Sequence, residues 1–212
     1  MNHRELANPE LAGVEVDAPS GDLSRSEVIL KGALAAGAVY GIGMVAPFVR
    51  KALATAEGGD VGILNFALTL EYLEAEFYAE AKTRARASGE LKALIRLLAE
   101  DEQQHVEALT ASIKKLGGKP VAKPKFDFPY GNTAGFLELA QTFEDTGVSA
   151  YNGAGPEIKS KAVLGSAGSI VQVEARHAAA IRLQKGEEPA PDAFEPALGE
   201  AQVLEAVEPF LA

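Results

Sequence analysis

The sequence predicts an all-α fold built around a four-helix bundle, and three observations support this. From residue 62 onward, apolar residues recur with a period near 3.6 rather than 2. Glycine and proline clusters divide this stretch into four segments long enough to be helices. Each segment also carries a glutamate inside its apolar stripe. We expect one long crossover connection within the bundle, an apolar helix N-terminal to the bundle and a short helix C-terminal to the bundle.

Composition limits the classes of function. The 212 residues are 47% hydrophobic and 24% charged, which suits a globular domain with a real core. The net charge is −10 and no basic stripe is visible, so nucleic acid is not an expected partner, because phosphate binding needs clustered lysine and arginine. There is no cysteine, so a metal site in this chain must use carboxylate and imidazole ligands.

The first 54 residues look like an export or anchoring segment. Residues 1–23 form a polar arm that contains two prolines. Residues 24–54 have a basic flank, an apolar run over 28–49 and then a basic pair followed by small residues. This order resembles a twin-arginine export signal, but Arg25-Ser26 stands where that signal has two arginines.

Three fates of this segment are open. A cleaved signal would leave a chain that begins near Thr55. A retained apolar helix over 28–49 could associate with a membrane, since its length approaches the minimum span. The same helix could instead pack against the bundle or a neighbouring subunit. We therefore expect an exported or cell-envelope protein, or a cytoplasmic one if the signal does not function.

Residues 55–186 are predicted to form the bundle. The first helix covers 61–86, and the second covers 90–116 with Ser88 as its N-cap and glycines at its end. Three prolines exclude helix from residues 119–131, which we interpret as a crossover whose aromatic residues cover one end of the bundle. The apolar stripes of the first two helices contain Leu64, Leu68, Ala75, Tyr78, Leu91, Ile95, Leu98, Leu109 and Ile113.

The third helix is predicted over 133–152, capped by Asn132 or Thr133. The fourth covers 157–185, with Pro156 suited to its first turn and a glycine closing it. Residues 187–212 form a proline-rich tail. Its short helix near 199–208 is expected to dock on the bundle through Val203, Leu204, Val207 and Phe210.

The motif that carries chemistry is a set of glutamates and histidines inside these stripes. A carboxylate that faces a core is unfavourable unless it is paired or binds a metal, and four of them need a joint explanation. The second and fourth helices add a histidine three residues after the glutamate, on the same helical face. The spacing also repeats, with 31 residues between the first two glutamates and 30 between the last two. The six residues are Glu71, Glu102, His105, Glu144, Glu174 and His177.

The arrangement resembles the ferritin-like di-iron carboxylate superfamily, in which two helices each give a Glu and the other two each give Glu-x-x-His. The resemblance covers roughly residues 61–185, and the ligand set is closest to bacterioferritin-type and rubrerythrin-type sites. It implies a ferritin-like bundle with two Fe ions, Mn being an alternative. This match implies that Glu71 and Glu144 are the lone carboxylates, that Glu102 and Glu174 bridge the two metals, and that His105 and His177 are the terminal nitrogen ligands.

The resemblance also implies a function. Tyr78 and Tyr151 each follow a lone glutamate by seven residues, where the family often places a tyrosine beside the metals, so both are candidate catalytic residues. The implied activity is oxidation of Fe(II) with O2 or H2O2, in iron handling or oxidative defence, by a homo-oligomer. The alternative is a structural or assembly-forming protein of the desiccation-associated envelope type, in which the metals act as a staple.

Other acidic residues are interpreted as solvated. These are Glu74, Glu76, Glu80, Asp101, Glu107 and Asp145. For Glu74 alone, a position next to the metal ligands is kept as an alternative.

Overall fold

A computed structural model describes residues 58–212. The predictions for the polar arm at 1–23 and the signal-like segment at 24–54 fall outside these residues and stay predictions, as does membrane association through 28–49. No helix between residues 58 and 212 combines the length and apolar character that crossing a bilayer would require.

Four long helices form the bundle, which confirms the predicted all-α fold. Helices α1 (Asp60–Arg84) and α2 (Gly89–Lys115) make one hairpin. Helices α3 (Thr133–Ala154) and α4 (Lys161–Lys185) make a second one. The crossover between α2 and α3 joins the two hairpins.

Helices α1 and α3 run antiparallel, as contacts at both ends show. At the start of α1, the Asp60 carboxylate accepts hydrogen bonds from the backbone N–H groups of Lys159 and Ser160, each at 2.8 Å. At the other end, Thr133 Oγ1 donates to the carbonyl of Ala85 at 2.9 Å. The middles of the two helices therefore face each other across the core.

The helix ends follow from local sequence. The Asn132 side chain caps α3 by accepting from the Gly135 N–H at 2.8 Å. Gly117 and Gly186 adopt φ values of 82° and 74° after α2 and α4, a region that glycine enters without steric penalty. Ser88 precedes α2 as predicted, although its side chain makes no capping hydrogen bond.

The predicted start of the fourth helix was wrong. Pro156 lies in a separate 3-10 turn, Gly155–Glu157, and α4 begins only at Lys161. The extended backbone at Ile158 and the two bonds to Asp60 hold a connector between α3 and α4. Ser160 then caps α4 by accepting from the Val163 N–H at 3.4 Å.

The crossover lies along the outer side of α1. Its start is held by Asn65, which donates to the Lys119 carbonyl at 3.1 Å and accepts from the Val121 N–H at 2.7 Å. Its end is held by Arg84, which donates to the Tyr130 carbonyl at 2.7 Å. The predicted aromatic cover exists at that end, where Phe128 and Tyr130 are buried.

The C-terminal tail covers α3, as the crossover covers α1. The Leu198 N–H donates to the Ser149 carbonyl at 2.9 Å. The carbonyl oxygen of Leu198 would lie 1.9 Å from a Cβ atom at position 153, so this close approach requires Gly153. Helix α5 (Glu200–Val207) then docks through buried Val203 and Val207.

The end of the tail meets the crossover. The Asp127 N–H donates to the Phe210 carbonyl at 2.9 Å, and the Ala212 N–H donates to the Lys125 carbonyl at 3.0 Å. These bonds flank an isolated antiparallel bridge between Phe126 and Leu211. The covers of α1 and α3 are thus bonded to each other.

Two apolar clusters fill the bundle on either side of the glutamates. An aromatic cluster includes Phe77, Phe128, Phe136, Phe143 and Phe210 toward the end of α1, and it extends along this helix to Phe66 near its start. An aliphatic cluster lies toward its start and includes Leu64, Leu68, Leu109, Ile113 and Ile170. The glutamate level is therefore closed by apolar side chains at both ends.

Candidate metal centre

The structure brings all six residues of the predicted motif together in the bundle interior. All four stripe glutamates have no exposed surface, and the two histidines are 9% and 4% exposed. Each glutamate reaches this level because it occupies an inward position of its helix stripe. The residues are Glu71, Glu102, His105, Glu144, Glu174 and His177.

The first group of donor atoms surrounds His105. Its Nδ1 atom lies 3.2 Å from Glu71 Oε2, 3.1 Å from Glu102 Oε2 and 2.9 Å from Glu174 Oε1. One nitrogen carries at most one proton, so it cannot donate to three carboxylates at once. Ligands on an ion with bonds of about 2.1 Å are separated by roughly 3 Å at right angles, which is the spacing seen here.

The second group surrounds His177. Its Nδ1 atom lies 2.8 Å from Glu102 Oε1, 3.5 Å from Glu144 Oε2 and 3.6 Å from Glu174 Oε2. In each group the four donor atoms all lie within 4.8 Å of one another. Glu102 and Glu174 belong to both groups and use a different oxygen for each, a geometry that suits carboxylates bridging two adjacent ions.

Unsatisfied polar atoms also fit a pair of cations. Within residues 58–212, six buried atoms of this cluster make no hydrogen bond of acceptable geometry: Glu71 Oε2, Glu102 Oε1, Glu144 Oε2, both carboxylate oxygens of Glu174 and His177 Nδ1. Buried carboxylate oxygens without a partner are strongly unfavourable. The atoms aim at the two donor groups, so metal ions there would satisfy them.

Two tyrosines tie the lone glutamates across the bundle. Tyr78 on α1 donates to Glu144 Oε1 on α3, and Tyr151 on α3 donates to Glu71 Oε1 on α1, each at 2.5 Å. Burial, and then the charge of the bonded glutamate, raise the pKa of each tyrosine well above its ordinary value. Both hydroxyls therefore stay protonated and leave the other oxygen of each glutamate free for a metal.

Asp101 is a functional candidate that the sequence interpretation placed on the surface. It is half-buried, and its Oδ2 atom lies 3.2 Å from His177 Nε2. A carboxylate only accepts, so His177 donates through Nε2, and Nδ1 is the ring atom that faces the cluster. Such an outer carboxylate fixes the tautomer and orientation of a metal-binding histidine.

Glu74 is a second residue for which the solvated interpretation was wrong. It is 2% exposed, and its Oε1 atom would lie 3.1 Å from a Cβ atom at Gly147. Burial, followed by the charges of the four stripe glutamates, raises the pKa of Glu74 well above its usual value. This shift favours the protonated carboxyl group in the metal-free protein. Its spacing of three residues from Glu71 was the sequence signal that it shares the inward face.

Asp145 was also wrongly placed on the surface. It is 7% exposed and accepts a hydrogen bond from Arg182 Nη2 at 2.6 Å, which joins α3 to α4. The interpretation as solvated residues agrees with the structure for Glu107 and Glu80. Glu107 is exposed, and Glu80 forms an ion pair with Arg84 at 2.5 Å near the surface.

The carboxylates of the cluster favour cations. Burial opposes ionisation of Glu102, but the adjacent imidazoles of His105 and His177 lower its pKa to about 2. Burial would lower the pKa of His105, but the adjacent carboxylates of Glu102, Glu174 and Glu71 raise it to about 12. Burial raises the pKa of Glu144 to about 8 despite the nearby imidazole of His177. Protons and metal ions thus compete for the same positions.

The interior of the helical bundle gathers four carboxylates and two imidazoles into two adjacent donor groups. The protein therefore belongs to the class of helical bundles whose interior site is compatible with two metal ions. Residues 59–187 match the family model described as a ferritin-like domain, and the chain belongs to that family. The match confirms the resemblance expected from the sequence motif. A comparison with curated proteins gave no match.

Proposed function

We propose that the protein binds two iron ions, one at each donor group, and oxidises Fe(II) with O2 or H2O2. The observation that carries this proposal is the pair of four-atom donor groups that share Glu102 and Glu174. Carboxylate and imidazole ligands suit iron, and also manganese. Four carboxylates together with two neutral imidazoles would balance two divalent ions, which removes the cost of the buried charge.

The chain's own residues would position and shield the site. Bound iron would supply the electrons that reduce the oxidant. Tyr78 and Tyr151, the candidate catalytic residues, hold Glu144 and Glu71 in place through their hydroxyl groups. The aromatic and aliphatic clusters exclude bulk water. Glu74, whose pKa is raised by burial and by the stripe glutamates, would hold a proton beside them, where reduction of an oxidant consumes protons.

Anaerobic loading tests the proposal. Fe(II) is added to the full chain at two ions per chain, and absorbance is then followed after addition of O2 or H2O2. We expect ferric absorption to appear faster than in buffer alone. The variant Glu102→Gln should lose this acceleration, whereas Glu107→Gln, an exposed glutamate on the same helix, should retain it. Oxidation no faster than in protein-free buffer rejects the proposal.

A structural role for the metals is a second candidate, and a specific observation favours it. The cluster joins all four helices and has no exposed carboxylate, so it could act as a staple in a stress-associated or assembly-forming protein. The double variant Glu102→Ala with His105→Ala separates the two functions. Loss of oxidation with folding and assembly intact indicates catalysis, whereas loss of folding or assembly indicates a staple.

A further inference from the structure

The crossover and the tail cover one side of the bundle, because the crossover lies on α1 and the tail on α3. Helices α2 and α4 form the opposite side, where Asp101 Oδ2 and His177 Nε2 lie 3.2 Å apart. Each of these two helices carries a large apolar residue that is more than half exposed, Leu97 at 52% and Leu183 at 60%. We call the outer surface of the two helices the α2/α4 face.

The α2/α4 face carries an unpaired charge of each sign. Although the chain has a net charge of −10, the exposed residues of α4 include Arg176 and no acidic residue. Helix α2 presents Glu100, which is also exposed. Neither Glu100 nor Arg176 forms an ion pair with another residue of the range 58–212. Each charge is therefore available to a partner outside the chain.

The bundle places these two charges at the same height. Glu102 and Glu174 lie at one level, because each belongs to both donor groups. Helices α2 and α4 run antiparallel, since α1 and α3 do and each of those begins a hairpin. Glu100 is two residues before Glu102 and Arg176 is two residues after Glu174. Both therefore lie about 3 Å from the glutamate level, in the same direction along the bundle.

A two-fold axis parallel to the helices brings the two charges together. Such an axis sets α2 of one copy against α4 of a second copy, with every residue facing a position at its own height. Glu100 then faces Arg176 of the second copy, and the same contact occurs again with the copies exchanged. A face with opposite charges at equal heights on neighbouring helices is thus complementary to itself.

Other residues of the face match under the same axis. Leu183 and Ala93 each lie nine residues from the glutamate level, on the same side of it as Glu100. Ala111 and Gly165 each lie nine residues from it on the other side. All four are exposed. A leucine therefore meets an alanine at one end of the face, and at the other end two small residues let the helices approach closely.

We propose that the α2/α4 face binds the same face of a second copy of this chain, giving a dimer with two-fold symmetry. The shorter helix, of 25 residues, is about 37 Å long and two helices are about 20 Å wide, which gives roughly 750 Å². A stable interface buries about 800 Å² on each partner. Asp101 lies between the two helices, so the second copy covers the carboxylate that supports His177. The inference does not depend on the proposed function.

The oligomeric state of the metal-free full chain tests the proposal, by light scattering or sedimentation over a range of concentrations. We expect a dimer that Gly165→Gln converts largely to monomer. A Cβ atom at position 165 meets nothing within 4 Å in its own chain, so the new side chain disturbs only the contact between copies. Gly168→Gln is the matched control, because a Cβ atom at 168 is equally free. Gly168 lies four turns before Arg182, on the side of α4 that contacts α3, so this variant should remain dimeric.

A monomer at every concentration overturns the proposal. Association that Gly165→Gln leaves unchanged also overturns it, since the contact then involves another surface, such as the apolar run over 28–49.

Charge exchange tests the pairing of α2 with α4. Arg176→Glu and Glu100→Arg each place like charges opposite each other twice in the dimer, so each should raise the dissociation constant severalfold. Combining the two substitutions restores opposite charges and should bring the constant back toward that of the unmodified chain. A double variant no stronger than the single variants, or single variants with no effect, overturns the pairing. These measurements use no metal, so they stand whether or not the protein oxidises Fe(II).

Discussion

The two hairpins of the bundle carry the same ligand pattern in different surroundings. In each, a lone glutamate is followed after seven residues by a tyrosine and after about 30 by Glu-x-x-His. The tyrosine bonds are exchanged symmetrically, Tyr78 to Glu144 and Tyr151 to Glu71, at the same 2.5 Å. The hydroxyl groups that bond the lone glutamates are thus duplicated.

The groups behind the cluster are not duplicated. Asp101 precedes Glu102 and bonds His177, whereas Val173 holds the equivalent place before Glu174. Within residues 58–212, no carboxylate pairs with the outer nitrogen of His105. The comparison teaches that a near-symmetric set of donor residues can give two unequal donor groups, because the difference lies in what supports each residue.

Removing metal should have the largest effect, because it affects both hairpins together. We expect chelation to lower the thermal midpoint clearly, since saturation at about 100 times the dissociation constant stabilises a protein by roughly 2.7 kcal/mol. The check is a pair of anaerobic melting curves with Fe(II) and with chelator. A variant with both residues that the donor groups share changed, Glu102→Gln and Glu174→Gln, should not respond to metal. Superimposed curves for the unmodified chain would contradict the prediction.

The next largest effect should be the pH dependence of the unfolding free energy, to which the two hairpins should contribute alike. Burial raises the pKa of Glu144 to about 8 from an ordinary 4.5, and also raises that of Glu71. Between these values the folded state binds more protons than the unfolded state, so the unfolding free energy of the metal-free protein should fall as pH rises. Burial would lower the pKa of His105, but the adjacent carboxylates of Glu102, Glu174 and Glu71 raise it from an ordinary 6.5 to about 12, and above pH 6.5 this acts in the same direction.

Denaturant unfolding of chelated protein across this pH window measures that slope. Glu71→Gln and Glu144→Gln should each flatten it, while Glu107→Gln should not. With metal bound the trend should reverse, because protons compete with the metal for its ligands. A flat profile for the metal-free chain would show that these carboxyl groups do not hold protons in the folded state.

His177 has an outer carboxylate partner and His105 has none among the described residues, and this difference predicts a smaller effect on metal affinity. Asp101→Asn removes the charge behind His177, and loss of such a partner typically weakens metal binding about 10–100-fold. Only one of the two metals should be affected, so an anaerobic titration should change to two steps of unequal affinity. Val173→Asn places the same residue at the equivalent position and should leave binding unchanged. Equal weakening of both steps would show that Asp101 does not act through His177.

The smallest effect should come from removing either tyrosine hydroxyl group, and it should be the same in the two hairpins. Tyr78→Phe and Tyr151→Phe each remove one buried hydrogen bond to a glutamate, worth about 1 kcal/mol. Chemical denaturation of the metal-loaded variants should give similar losses for the two. A loss confined to one tyrosine would reveal that the hairpins differ at this level as well.

Most of the fold and the six clustered residues could be predicted because they depend on local periodicity. Glu102 and His105 lie three residues apart on one helix, so their shared face follows from helix geometry alone. The partnership of Asp101 with His177 could not be predicted, because it depends on how α2 and α4 are rotated against each other. Asp145 was misplaced for a similar reason, as its partner Arg182 comes from the neighbouring helix.

The junction between crossover and tail has a consequence for folding. Its backbone bonds join residues 125–127 to 210–212, segments far apart in the chain. Each of these segments lies on the outside of a bundle helix, the crossover on α1 and the tail on α3, so the two segments meet only once the bundle has brought those helices together. We therefore expect the junction between the crossover and the tail to form last during folding. A folding intermediate before that step should have the four-helix bundle formed, with the crossover and the tail still accessible to proteases.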